Sequence, residues 1–76
     1  SNWVTDRVDA VRFFYDTSSG DYAREFLAKY NVEYIIVGQL ERIYHPEGIE
    51  KFERYNGMLW NKVYENGQTA IYEVIR

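Results

Sequence analysis

From Val32 to Val37 the chain is apolar at every position but Glu33, and Leu40 follows two residues past Gly38. β-branched Val32, Ile35, Ile36 and Val37 dominate, so the run predicts a buried strand, apolar at both parities and therefore covered on both faces. Gly38-Gln39 and the charged pair Glu41-Arg42 then predict a polar exit loop. Upstream, Val4, Val8, Val11 and Tyr15, with Phe14 beside them, recur at three-and-four spacing, which predicts a first helix from Val4 to Tyr15. Asp16 to Gly20 is a turn cluster in which Ser19 is placed to cap a second helix, with Asp21 in its first turn. The apolar stripe of that helix is Tyr22, Ala23, Phe26, Leu27 and Tyr30, and Asn31 tolerates the left-handed conformation that ends it.

Gln39 to Glu47 reads as a loop with the only Pro and the only His. Pro46 stands at a first helical position, and Ile49, Phe52 and Tyr55 predict a third helix stopped by Asn56-Gly57. Beyond it, Met58 to Tyr64 and Gln68 to Ile75 flank Glu65-Asn66-Gly67, an Asn-Gly hairpin signal. A two-residue turn at Asn66-Gly67 would pair Glu65 with Gln68 and Val63 with Ala70. Leu59, Val63, Ala70 and Val74 would then share one face, and Trp60, Tyr64 and Ile71 the other. The expected fold is α/β (α+β), a small three-stranded mixed sheet with about three helices, in the order helix-helix-strand-helix-strand-strand. The crossover makes the first two strands run the same way and the last strand lie between them, with open sheet edges that invite a partner strand or a dimer.

Length changes this picture only by limiting it: 76 residues make one domain, and such a chain buries about 60% of its unfolded surface. Aromatic residues make up 18%, eight of them Tyr, which predicts rings that are half-buried with their hydroxyls reaching a partner. A net charge of −3 with mixed signs argues against a nucleic-acid partner. The absence of Cys removes disulfides and thiolate metal sites. No run is apolar enough to span a membrane and no signal peptide is read, so the segment is expected to be soluble. Ser1-Asn2 resemble a cleaved tag, which would make the chain an excised piece of a longer one.

Little catalytic chemistry is in view. His45 is alone and reads as a surface loop residue, with no cofactor and no metal expected. Glu41, Glu47, Glu50 and Glu53 crowd one region and could in principle hold a cation or act on a sugar. Helical spacing instead puts the last three on the wet side of the third helix with Lys51 and Arg54. Tyr34 to Leu40 resembles one ribonucleoprotein signature, but the rest of that pattern is missing. The five Gly make no phosphate loop, and Ser18 and Ser19 lack a base. Among polar residues Glu41 and Arg42 rank first, since a charged pair at the carboxyl end of a strand is where ligand-contacting loops sit. The plainer reading is that Arg42 pairs with a neighbouring carboxylate and fixes the loop.

The order Arg7, Asp9-Ala10-Val11, Phe14 to Thr17, Tyr30 to Gly38, Leu40-Glu41-Arg42, Tyr44, Gly48 to Phe52, Val63 to Gly67 and Ile71 to Val74 resembles a family tail. It is similar to the C-terminal domain of the YYY-type polytopic membrane proteins, themselves distantly similar to polyprenyl-phosphate-sugar-dependent glycosyltransferases. The likeness covers nearly the whole chain, and its most specific part is the strand followed by Gly38, Leu40, Glu41 and Arg42. It implies a non-catalytic domain after the last membrane helix, on the extracytoplasmic side. The partners it implies are the parent membrane domain and a lipid-linked sugar or glycan acceptor met by Glu41, Arg42 and Tyr44. Catalytic acids in such enzymes lie in loops between membrane helices, so none carries over. Tyr44-His45 stands where relatives often pair two Tyr. The alternatives are an interaction module that self-associates through a sheet edge and a freestanding enzyme.

Overall fold

A computed structural model describes residues 3–76, with side chains from Arg7 onward. The reading of Ser1-Asn2 and the place of the Val4 side chain in the first stripe lie outside the described residues. The elements are α1 (Trp3–Asp16), α2 (Gly20–Lys29), β1 (Tyr34–Val37), a short 3₁₀ turn (Leu40–Ile43), α3 (Pro46–Arg54), β2 (Trp60–Asn66) and β3 (Thr69–Val74). The order is the one expected, and the fold is α+β. β3 lies between β1 and β2, and both of its pairings are antiparallel. The first two strands therefore share a direction without touching, and no neighbouring pair is parallel.

Local chemistry sets the helix ends. Ser19 caps α2, its Oγ accepting from the Tyr22 N–H at 3.1 Å. Asn31 takes φ +54° past the end of α2, and the Val32 N–H returns to Leu27 O at 2.9 Å, satisfying a terminal carbonyl. Pro46 opens α3, and the His45 N–H just before it donates to Asp16 Oδ1 at 3.0 Å, tying α3 to the end of α1. Gly48 sits at that crossing, where an added Cβ would fall 2.2 Å from Tyr15 O. The core gathers Phe14, Phe26 and Leu27 from the first two helices, Phe52 from α3, and Ile35, Val37, Trp60, Ala70 and Tyr72 from one face of the sheet. Phe52 is its hub, with ring centroids 5.2 Å from Trp60, 5.7 Å from Phe14 and 5.8 Å from Tyr72. The Trp60 indole N–H donates to Phe52 O at 2.8 Å.

Four expectations need correction. First, β1 is covered on one face only: Ile35 and Val37 are buried, while Tyr34 and Ile36 are 54% and 55% exposed. The helices contribute to the core on the side of Ile35 and Val37, and the alternation of the strand turns Tyr34 and Ile36 away from them. Second, Gln39 to Glu47 is not all loop: Leu40, 78% exposed, begins a 3₁₀ turn that runs to Ile43, and α3 starts at Pro46. Third, the hairpin turns at Gly67-Gln68, pairing Asn66 with Thr69 and Glu65 with Ala70. Gly67 has φ +61°, and a single positive φ at the first turn residue is what a type II′ turn asks of glycine. An irregularity at Val63 lets Lys62 face Tyr72 and Tyr64 face Ile71, so Trp60 shares the inner face with Ala70 and Tyr72. Fourth, Lys51 is not on the wet side of α3 but wholly buried.

Candidate functional site

The corner singled out by sequence is built, but it is built inward. Glu41 Oε1 accepts from the Gly38 N–H at 2.7 Å, closing the end of β1. Arg42 donates through Nε and Nη2 to Gln68 O at 3.2 and 3.1 Å, so its fork grips the hairpin turn 26 residues away. Its partner is a backbone carbonyl rather than the expected carboxylate. The Tyr44 ring stacks on Tyr15 at 5.4 Å and 11°, and the Tyr15 hydroxyl donates to Ile36 O at 2.8 Å. Burial first, then the Glu41 charge and Tyr44, push the Tyr15 phenol up to about 12. Glu41, Arg42 and Tyr44 thus clamp β1, the 3₁₀ turn and the hairpin together.

A second polar group was not visible in the sequence. The Tyr72 hydroxyl donates to Glu53 Oε2, and Lys62 Nζ bridges Glu53 at 3.0 Å and Glu65 at 3.2 Å. The hydrogen bond from Tyr72, then that from Lys62, holds the Glu53 carboxyl below its ordinary range, while burial and Glu53 raise the Tyr72 phenol. An acid held ionised and a phenol held protonated are poor proton carriers at neutral pH, so this trio locks α3 to the sheet. Glu50 pairs with Arg54 along α3 at 3.1 Å. Among the described residues no three His, Cys, Asp or Glu converge on a metal position.

Lys51 is the deepest charge. Nζ donates to Gly48 O at 2.9 Å and Tyr15 O at 3.4 Å, and lies 4.1 Å from the Phe52 ring centroid and 5.0 Å from that of Phe14. Burial brings it down to about 8, with Asp16 pulling weakly the other way. Because both hydrogen bonds end on backbone carbonyls at the α1–α3 crossing, its role is to cap α1.

What remains open is the outer face of the sheet. Two rows cross it, Ile36–Ile71–Tyr64 and Tyr34–Glu73–Asn61, with Val63 beside them at the irregularity. Tyr34, Ile36, Val63 and Tyr64 are each about half exposed, between 48% and 55%. The sheet edges, by contrast, are partly closed. The Lys62 N–H on β2 donates to Asn56 Oδ1 at 2.9 Å, Trp60 O accepts from the Gly57 N–H at 2.6 Å, and the Tyr15 hydroxyl occupies Ile36 O on β1. These are the devices by which small sheets discourage strand addition. The chain, compared with known proteins, matches no family model, no curated protein and no solved structure. No helix among the described residues is long and apolar enough to cross a membrane.

Proposed function

We propose that this domain is a non-catalytic docking module whose contact surface is the outer face of the sheet. The observation that carries it is the half-exposed set Tyr34, Ile36, Val63 and Tyr64, arranged around Ile71 on a rigid sheet. Side chains of this kind present on the order of 400 Å² of apolar surface, the size at which a patch on a small protein marks a binding face. Glu41, Arg42 and Tyr44 are spent on internal contacts, which argues against a sugar or lipid-phosphate ligand at that corner. The resemblance to the C-terminal domain of a membrane glycosyltransferase-like protein supplies a setting: the face would seat the domain against its parent on the extracytoplasmic side.

The test is the double variant Ile36→Asp, Tyr64→Asp. Exposed positions should tolerate the change, leaving the melting temperature within a few degrees, while capture of the domain by the upstream membrane region expressed separately should be lost. Melting that collapses would mean that the face belongs to the core, and capture that survives would remove docking from this surface.

A further inference from the structure

Building on that reading of the outer face, we infer that its occupant is an amphipathic helix that carries a lysine or arginine beside its apolar stripe. Two observations point to this partner over a second copy of the chain. The first is shape. Three strands spaced about 4.8 Å apart make a face about 10 Å wide, the width of one helix with its side chains. β1 and β3 are four and six residues long, so at about 3.3 Å per residue the face is about 13 to 20 Å long, or two and a half to four helical turns.

The second is charge. The central strand puts Thr69, Ile71 and Glu73 on this face, and Glu73 is the charged one. Glu73 Oε2 takes its hydrogen bond from the Tyr34 hydroxyl at 3.4 Å, a neutral donor on the same face. The charge of Glu73, and more weakly that of Glu33, raises the Tyr34 phenol, so both carboxylates act on this corner. Two copies stacked face to face about a two-fold axis close to Glu73 would bring the two Glu73 carboxylates together, a like-charge contact that disfavours that arrangement. A helix running along the strands, with Leu-like residues at i, i+3 and i+4 over Ile36, Ile71 and Tyr64 and a cation one turn away over Glu73, has no such conflict.

The experiment titrates the ¹⁵N-labelled 76-residue chain with a 14-residue leucine–lysine helix of that spacing, and in parallel with its leucine–glutamate counterpart. Saturable shifts at Tyr34, Ile36, Val63, Tyr64, Ile71 and Glu73 are expected with the lysine peptide, and at least tenfold weaker binding with the glutamate peptide. Glu73→Lys should invert that preference; Glu73→Gln, the milder change, should erase most of it; Ile36→Asp should abolish both. If the glutamate peptide binds this face equally well, or if its residues shift when the chain alone is concentrated, the cationic-helix assignment falls and the docking face stands. Shifts at these residues with phosphatidylcholine vesicles and neither peptide would also overturn the assignment, in favour of lipid. If no probe moves them, the assignment and the docking face fall together.

Discussion

Lys51→Met is the most telling single change, because the position holds a full charge with no exposed surface. In the unfolded chain its ammonium titrates near 10.5; in the fold burial brings it to about 8. Between those values the unfolded chain keeps a proton that the native state has released, so stability rises with pH across the window. Two and a half units at about 1.4 kcal/mol each give an upper bound of about 3.5 kcal/mol, present as a cost at neutral pH and relieved by about pH 10.5. Tyr15 works the other way: its native phenol titrates at about 12 and its unfolded one near 10, so its contribution is lost as pH climbs above 10. The wild-type chain should therefore reach maximal stability near pH 10. Replacing Lys51 by Met removes the charge and keeps the volume, but leaves Tyr15 O at the end of α1 without its donor, worth about 1–3 kcal/mol. The balance is a gain of about 1 kcal/mol at pH 7, or about 4–8 °C in a domain of this size. Urea midpoints by circular dichroism from pH 7 to 11 at fixed ionic strength measure both. A wild-type curve that is flat from pH 8 to 10, or a Met variant that still climbs there, would refute the reasoning.

Three further outcomes follow from the packing. Gly48→Ala should destabilise by about 2 kcal/mol despite alanine's better helix propensity, because the new methyl would meet the Tyr15 and Asp16 carbonyls at 2.2 and 2.4 Å; a stabilised variant in urea melts would contradict the close crossing. Trp60→Phe should cost about 2–4 kcal/mol by losing ring area and leaving the buried Phe52 carbonyl without its donor, read from the thermal midpoint. Glu53→Gln should lower the Tyr72 phenol towards, though not to, 10, since burial is the larger cause of its rise; ultraviolet titration of the tyrosines near 295 nm will show one late-titrating ring move earlier.

The elements that could be read from sequence are those fixed by neighbours. Ser19, Asn31, Pro46 and Gly57 act within a turn of their own position, and each ends or starts a helix where its chemistry says it should. What could not be read depends on contacts far along the chain. Lys51 counts as polar in any periodicity, and only the approach of Tyr15, 36 residues earlier, gives its ammonium a reason to be buried. Arg42 likewise finds its partner on Gln68, and Glu53 on Tyr72, across separations that local spacing does not encode. The hairpin register lies one residue from the expected one because Gly67 takes the left-handed position as the first turn residue, while Asn66 stays in β2 and pairs with Thr69.

The expectation for β1 failed in a way that bears on function. Tyr34-Ile35-Ile36-Val37 is apolar at both parities, the signature of a strand covered on both faces, yet this chain covers only the side of Ile35 and Val37. A strand exposed to water on its second face would ordinarily alternate with polar residues there. Here the exposed parity carries Tyr and Ile, and it continues across the sheet through Ile71 to Tyr64 and on to Val63. The pattern and the fold agree once a second layer is laid over Ile36, Ile71 and Tyr64, which turns β1 into the strand that its composition describes. If Ile36→Thr together with Tyr64→Thr left every association of the domain intact, that second layer would have no function, and the apolar outer parity of β1 would lose its explanation.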